Sequence, residues 1–379
     1  MKNMSALIFA FGLAVLSPGA AFSGSEDPGE ARYPDSFQAP YWLKRGYTGG
    51  TLYLRQNHDY FPTMLADLRA PVNTIRYYRA EPVPYTQASR LSLHNFGDVT
   101  FGESFHLFGW DYAGPPQTAA PRFVRGWAAY LDGSAHMLLD FNTASRDVIN
   151  TDYRIGIGLA GRGLPGGTSL SWDRHFSWKA KYYHESTHLG DEFAIAAEQR
   201  LLSGDPAFAK FRRINVSYEA AEFYLAWDGW RPRNSPGIEY RRIYAVYRYI
   251  NEPGFETDDP PPLPSDIKNH EAQFGAEIYY RWSPTTGLNP FVFHGLPPPQ
   301  FIVFAMDATK RDQYDFYAEI HHPASWSFNT LIGTVYGDPF MGENTVRYSV
   351  NYYAGLNPHG QFRSTRINYL GFTISLDFK

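Results

Sequence analysis

The chain has 379 residues, and its aromatic side chains are almost as frequent as its charged ones, at 17% against 19%. Ordinary soluble domains carry about 25% charged residues, so the composition indicates a large apolar surface beyond that of a normal core. The absence of cysteine excludes disulfide scaffolds, thiolate metal sites, cysteine nucleophiles and lipid-modified cysteine anchors. A formal charge of −4 argues against a basic face, so we expect no nucleic-acid partner.

The first 23 residues have the pattern of an export signal. Lys2 supplies a positive start, and the apolar run over residues 6–16 is shorter than the about 20 residues that a spanning helix needs. Ala21 and Ser23 are small residues at the positions that a signal peptidase reads. The sequence therefore predicts a signal peptide over residues 1–23, cleaved after Ser23 or Ala21, and a mature protein that leaves the cytoplasm.

Residues 24–71 are rich in Gly, Pro and Asp and show little periodicity. We interpret them as a periplasmic segment that precedes the folded domain. Strands are predicted to begin near residue 72, so residues 72–379 form the second unit. Within that unit, residues 192–202 are rich in Ala and Glu and predict a helix in a long connection.

The chain beyond residue 72 repeatedly alternates apolar and polar residues, the period of a β-strand. In residues 169–186 the apolar parity carries Trp172, Phe176, Trp178 and Tyr182, and the other parity carries Asp173, His175, Lys179 and Lys181. Similar runs recur to residue 378, and turn-forming residues separate them, including Asp132-Gly133-Ser134.

Two architectures use many alternating strands of about ten residues, a soluble sandwich or propeller and a transmembrane barrel. A barrel turns its apolar parity to lipid, lines its lumen with charge and places aromatic residues at both rims, which fits this composition. The sequence thus predicts an all-β fold, a transmembrane antiparallel β-barrel of about 12 strands, with 10 to 14 allowed. Asp173, His175, Lys179 and Lys181 are then expected to line the lumen, with little ion selectivity because their charges are mixed.

The last strand ends as outer-membrane barrels typically end. Phe372, Ile374, Leu376 and Phe378 alternate with polar residues and close the chain next to Lys379. We therefore expect a protein of the outer membrane of a Gram-negative bacterium. Its expected partners are outer-membrane lipid and, through this strand, the barrel assembly machinery.

Residues 183–192 hold the densest group of reactive side chains and allow three interpretations. His184, Glu185 and His188 match the pattern His-Glu-x-x-His, in which a helix presents two zinc ligands and a base. The residues before them alternate with the period of a strand. This pattern therefore does not favour a zinc peptidase, and we predict no metal site.

The second interpretation is a lipid acyl hydrolase. His184 and Ser186 are two residues apart, so on a strand both leave the lipid-facing side, where a histidine could accept the serine proton. The pair is similar to that of outer-membrane phospholipase A and lipid A deacylase, which carry a His-x-Ser pair on the outside of a barrel. A third member would have to come from another strand or a loop. Calcium is a possible cofactor in this case, and otherwise no cofactor is expected.

The third interpretation is structural, with polar residues forming a hydrogen-bonded network at the barrel rim. It involves His188, Gly190, Asp191 and Glu192, where a long strand gives way to a long connection. Gly190 is expected to need a positive φ or a close backbone approach.

The chain also resembles a family of uncharacterised bacterial envelope proteins whose hallmark is His-x-Ser-Ser-His-x-Gly-Asp. The matching positions here are His184, Ser186, Thr187, His188, Gly190 and Asp191. Further similar runs are residues 61–71, 139–141, 152–156 and 216–219. The resemblance implies an export signal and an outer-membrane barrel, and it implies no established activity. We therefore expect a small channel or an envelope-structural protein, and the alternative is the acyl hydrolase that uses Ser186 and His184.

Overall fold

The computed structural model describes most of the chain from residue 50 to residue 378. The described residues are 50–54, 60–80, 93–112, 125–143, 146–163, 175–209, 215–230, 236–256, 269–282, 298–315, 320–340, 343–363 and 365–378. The predicted export signal and the position of Asp173 lie outside these ranges.

The described residues form thirteen strands and one α-helix. The strands are β1 (Gly50–Leu54), β2 (Asn73–Ala80), β3 (His94–Tyr112), β4 (Gly126–Asp140), β5 (Val148–Arg162), β6 (Phe176–Leu189), β7 (Asn215–Trp230), β8 (Gly237–Glu256), β9 (His270–Arg281), β10 (Phe301–Asp315), β11 (Ile320–Tyr336), β12 (Thr345–Leu356) and β13 (Arg366–Asp377). The helix α1 spans Asp191–Leu202, close to the predicted 192–202. None of the helices in the described residues has both the length and the apolar character needed to cross a membrane.

Strands β2 to β13 form a closed antiparallel barrel of twelve strands, so the predicted fold class is confirmed. Each strand pairs with its neighbour in the chain, and β13 returns to β2 with residues 370–376 opposite residues 73–79. Strand β1 lies outside this ring and pairs with residues 108–112 of β3. Closure leaves the ring without an exposed edge.

The barrel has two ends, which we call the upper and lower rims. The lower rim is the end at which β2 begins and β13 ends. Strand β6 runs from the lower rim up to α1 at the upper rim. The upper rim also carries residues 357–365, which connect β12 to β13 and include a short 3₁₀ turn at Gly360–Phe362.

The wall is apolar outside and polar inside, the reverse of a soluble domain. On β6, Trp178 and Tyr182 face outward, whereas Lys181 and Glu185 face inward and are buried. Other outward residues include Ile75, Phe223, Leu225, Phe304, Ile332 and Leu370, each at least two-fifths exposed on the isolated chain. Because successive side chains of a strand leave opposite faces, the alternation in the sequence produces this arrangement directly.

One predicted turn is wrong, because β4 runs without a break through Asp132-Gly133-Ser134. Asp132 points inward and accepts a hydrogen bond from Ser104 at 2.7 Å, and an added side chain at Gly133 would meet nothing within 4 Å. The ladders with β3 and β5 on both sides hold these residues extended. Pairing on both edges outweighs the local turn preference of an Asp-Gly-Ser sequence.

Residues 60–71, which we call the interior segment, lie inside the barrel. The Leu65 N–H donates to Glu277 of β9 at 2.6 Å, and the Asn329 amide of β11 donates to the Ala66 carbonyl at 2.6 Å. The Arg242 guanidinium of β8 donates to the carbonyl of Thr63 at 2.9 Å. The sequence analysis predicted a separate periplasmic segment over residues 24–71. In the structure, residues 60–71 of that range lie in the lumen, enclosed by the strands of the barrel.

The upper rim folds inward as well. The Gly360 N–H donates to Asp152 of β5 at 2.9 Å, and Arg363 donates to the Tyr218 hydroxyl of β7 at 2.8 Å. The ring of Phe362 lies 6.3 Å from that of Phe193 of α1 in an edge-on contact. These contacts attach the upper connection to the inner wall.

Candidate functional site

The interior segment is bound by a buried group of charges in the upper half of the lumen. The guanidinium of Arg69 lies 2.5 Å from a carboxylate oxygen of Glu185 and 3.3 Å from Asp152. Arg154 holds the other oxygen of Glu185 at 2.7 Å. Arg69 also donates to the carbonyl of Pro358 in the upper connection. One arginine therefore joins the interior segment, the wall and the upper rim.

A second group lies around Lys181 of β6. Its ammonium is 3.1 Å from Asp132 of β4 and 3.0 Å from Glu222 of β7. Arg248 of β8 holds the second oxygen of Glu222 at 2.5 Å, and Lys179 lies 3.9 Å from Asp132. Each carboxylate therefore has a cation within reach, as buried charge requires.

The structure thus places Lys179 and Lys181 inside the barrel. His175 lies at the lower end of β6, with Nδ1 2.8 Å from the carbonyl oxygen of Asp228 and its ring 5.7 Å from that of Trp227. The arginines that join the interior segment to the wall, Arg69 of the segment and Arg154 and Arg242 of the wall, were not singled out from the sequence. Their inward parity on alternating strands was the available signal for the last two.

A cavity of about 60 Å³ lies in the lower half of the barrel. Its walls include Met64 and Leu65 of the interior segment and Arg347, Asn351 and Thr373 of the wall. Sites for small organic ligands usually enclose about 300 to 1,000 Å³. This cavity is therefore too small for such a ligand.

A different group of polar side chains lies on the outside of the wall. On β6, His184, Ser186 and His188 face outward, and on β7, Ser217 and Glu219 do so. The register sets His184 opposite Glu219 and Ser186 opposite Ser217. Two adjacent strands therefore bring five polar side chains onto one patch near the upper rim.

Within this patch, His184 is held between two residues of β7. Its Nδ1 lies 3.3 Å from a carboxylate oxygen of Glu219, and its Nε2 lies 3.5 Å from Oγ of Ser217. Ser186 Oγ lies 2.8 Å from Nε2 of His188. The expected pair of His184 and Ser186 is therefore replaced by two others, His184 with Ser217 and Ser186 with His188.

Ser217 and Glu219 were given no role from the sequence, although their spacing could have indicated one. They stand two residues apart, as His184 and Ser186 do, in a run that already resembled the envelope family. What was lacking was the pairing of β6 with β7, which an alternating pattern does not contain.

The zinc-type pattern does not form a metal site. Residues 184–188 belong to β6, so His184 and Glu185 leave opposite faces of the wall and Glu185 is buried against arginines. The described residues include no group of three or more His, Asp or Glu side chains that could hold a metal ion.

Of the predicted rim network, His188 lies on the outer face of β6, and Gly190, Asp191 and Glu192 lie at the start of α1. The Gly190 N–H donates to the carbonyl of Ile149 at 3.0 Å, and a Cβ at Gly190 would come within 1.7 Å of the Val148 carbonyl oxygen. The backbone approach therefore requires glycine, with an ordinary φ of −63°. Asp191 and Glu192 are exposed in the first turn, where acidic residues favour the helix dipole.

Comparison with known families gives a match along most of the chain. The family described as protein of unknown function DUF1207 matches residues 49–378. The chain belongs to this family. The prediction of an uncharacterised family is thereby confirmed, and the hallmark at residues 184–191 stays a prediction. No match is found among curated proteins.

Two solved structures with a similar fold are compared with the chain at low identity. Outer membrane phospholipase A from Escherichia coli is 11% identical with a TM-score of 0.43, over 82% of this chain and 93% of that chain. LpxR from Salmonella typhimurium is 9% identical with a TM-score of 0.34, over 80% of this chain and 100% of that chain. At these values the likeness concerns the barrel fold and carries no argument about activity.

Proposed function

We propose that the protein is an outer-membrane β-barrel whose lumen is occupied by its own chain, and that it serves the cell envelope as a closed barrel rather than as an open pore. The observation that carries the proposal is the binding of the interior segment to strands on several sides of the barrel. Wall residues from β5, β6, β8, β9 and β11 contact it.

The apolar outer face supports the membrane part of the proposal. Soluble monomers rarely expose continuous apolar patches larger than a few hundred Å², whereas here the outward positions of all twelve wall strands include large apolar or aromatic residues. An apolar band around the outside of a barrel is the surface that lipid solvates. We include outer-membrane lipid and, through β13, the barrel assembly machinery as proposed partners.

The neutralised interior supports the closed state. A conducting lumen needs a hydrated path, but the inward charges of β4 to β8 bind one another or the interior segment. Residues 60–71 cross the space that a solute would use. The arrangement suits a barrel that is stabilised from within.

The test is ion conductance in planar lipid bilayers. We expect the wild-type protein to insert without steady conductance steps, because the interior segment stays bound. Arg69→Ala removes the cation that joins the segment to Glu185 and Asp152, so conductance steps should appear. The control is Arg200→Ala on α1, a partly exposed arginine 3.6 Å from Asp205, which should stay silent. Steady wild-type conductance, equal to that of Arg69→Ala, would contradict the closed barrel.

The acyl hydrolase predicted on Ser186 and His184 is the second candidate. The outward position of both residues favours it, and their separate partners, His188 and Glu219, speak against that particular pair.

A further inference from the structure

The outer patch contains a serine, a histidine and a glutamate in the order that acyl-transfer chemistry uses. We propose that Ser217, His184 and Glu219, the Ser-His-Glu cluster, form a hydrolytic centre for the fatty acyl esters of membrane lipids, with Ser217 as the nucleophile. This activity is separate from the closed-barrel role, since it lies on the opposite face of the wall.

The contacts of His184 fix which nitrogen can act as the base. Glu219 lies 3.3 Å from Nδ1, and a carboxylate can only accept, so Nδ1 carries the proton in the neutral ring. Nε2 is then unprotonated and faces the Ser217 hydroxyl at 3.5 Å. This is the arrangement in which a histidine accepts the serine proton and a carboxylate fixes its orientation.

The cluster lies where a lipid ester could reach it. Directly below Glu219 on β7, the outward positions are occupied by Ala221, Phe223, Leu225 and Trp227. On the flanking strands the next outward residue below the cluster is an exposed tyrosine, Tyr182 on β6 and Tyr249 on β8. An acyl chain would lie along this apolar column with its ester group at the level of Ser217.

A carboxylate on the outer face is unusual, because it lowers the stability of a barrel in lipid. Ionisable residues on the lipid face destabilise a barrel by an amount that grows with depth, and they tend to mark functional positions. Glu219 keeps 44% of its side chain exposed. It faces away from the interior charges, and it contacts His184 on the same outer face.

The backbone next to Ser217 departs from the regular ladder. Between Ser217 and Glu219 the pairing of β7 with β8 shifts register, so that Ser217 lies opposite Gly254 and Glu219 opposite Asn251. Pro253 lies in the shifted stretch and has no N–H to donate to β7. Bulges of this kind re-aim side chains and are frequent next to active sites.

The reaction follows from these positions. Ser217 Oγ attacks the carbonyl carbon of the ester while its proton passes to His184 Nε2. The ester C–O bond then breaks, and the same proton passes to the leaving alcohol. A water molecule, deprotonated by His184, attacks the acyl-serine, and cleavage releases the fatty acid and restores the Ser217 hydroxyl. Glu219 is a positioning residue, since it stabilises the imidazolium without touching the ester.

Ser186 is the competing nucleophile in the same patch. It lies opposite Ser217 and contacts His188 at 2.8 Å, a shorter distance than that of the proposed pair. Among the described residues, no carboxylate contacts the other nitrogen of His188, whereas Nδ1 of His184 contacts Glu219. The orienting carboxylate therefore assigns the nucleophile to Ser217.

The experiment combines covalent labelling with hydrolysis, using the full-length protein folded in detergent micelles. A fluorophosphonate probe reacts with activated serines, and peptide mass spectrometry locates the adduct. Fatty acid release is measured from phosphatidylethanolamine micelles and separately from lipid A micelles, each with calcium and with a chelator. We expect labelling at Ser217 and release from at least one lipid, and the two lipids distinguish the two sources of the acyl ester.

Five variants define the outcome. Ser217→Ala should remove the label and all release, and Ser186→Ala should keep the label on Ser217. Glu219→Gln should lower kcat by about 10²-fold or more with little change in KM, and Glu219→Asp should recover part of it. Thr330→Ala, which removes an outward hydroxyl on β11, should match the wild type. Heat-modifiable migration on gels checks folding of each variant.

Three results would overturn the proposal. The first is a folded wild-type protein that neither takes up the probe nor releases fatty acid from either lipid. The second is labelling at Ser186 that survives Ser217→Ala. The third is a Glu219→Gln variant with wild-type kcat, which would show that the carboxylate has no part in positioning His184.

Discussion

Strand β7 carries two glutamates that face opposite sides of the wall, and they show how differently the two faces use charge. Glu222 is fully buried in the lumen, 3.0 Å from Lys181 and 2.5 Å from Arg248. Glu219 is 44% exposed on the outer face and lies 3.3 Å from His184. The inner glutamate is surrounded by fixed cations, whereas the outer one meets a side chain that can gain or lose a proton. The charges of the inner face therefore stabilise the barrel. On the outer face, the carboxylate of Glu219 is placed to orient His184 as a base in the proposed ester hydrolysis.

Replacing these two glutamates should give the largest contrast. Glu222→Ala leaves Lys181 and Arg248 without a shared carboxylate, and breaking a buried ion pair from one side costs about 3 to 5 kcal/mol. Glu219→Ala removes an exposed partner near the upper rim, where interfacial water screens the pair, and about 0 to 1 kcal/mol is usual for such pairs. The measurement is urea unfolding of the protein in lipid vesicles, followed by tryptophan fluorescence. Equal losses for the two variants would remove the distinction between the faces.

Gly190 connects the upper end of β6, the strand that carries side chains of both faces, to α1. Gly190→Val should hinder assembly strongly, because its Cβ would overlap the carbonyl oxygen of Val148 and the backbone would have to shift. We expect a loss of heat-modifiable, folded protein on gels. The matched control is Gly133→Val on β4, where an added Cβ meets nothing within 4 Å and β-branching suits a strand. If both variants fold equally well, the close approach at Gly190 is not needed.

The outer face can be probed by placing a charge on it. Trp178 faces outward on β6, next to the inward Lys179. Trp178→Arg should cost about 2 to 4 kcal/mol if this position lies near the bilayer midplane, because lipid does not solvate a guanidinium there. Vesicle unfolding midpoints measure the cost. A stability equal to that of the wild type would place Trp178 at the membrane interface or away from lipid.

The wall could be predicted from the sequence to a large extent, because alternation over about ten residues determines both strand and face. The parity of Trp178 and Lys181 follows from it directly. Strand β3 lacks so clear an alternation, since Gly97, Gly102 and Gly109 interrupt its pattern. The turn at Asp132-Gly133-Ser134 was predicted wrongly, because two neighbouring ladders keep these residues extended.

The filled lumen and the outer cluster could not be predicted in the same way. Residues 60–71 show no period, and composition does not tell whether such a segment lies outside a barrel or inside it. Arg69 finds Asp152 and Glu185 only through the three-dimensional fold. His184 was recognised from its local spacing, but its partners Ser217 and Glu219 depend on the register of β6 against β7. A period of two leaves that register open.

The smallest effect should come from the outer hydroxyl of Ser186, compared with the inner hydroxyl of its neighbour Thr187. Ser186 Oγ contacts His188 at 2.8 Å in an exposed position near the upper rim, where interfacial water can replace the contact. Ser186→Ala should therefore change the free energy of unfolding by less than about 0.5 kcal/mol. Thr187 Oγ1 donates to Asp152 at 2.8 Å and is buried. Thr187→Val keeps the shape of the side chain but leaves a buried carboxylate short of a donor, so a loss of about 1 to 3 kcal/mol is expected. Unfolding in vesicles measures both variants. If Ser186→Ala proves as costly as Thr187→Val, Ser186 belongs to a structural rim network, and the outer patch cannot be treated as free for chemistry.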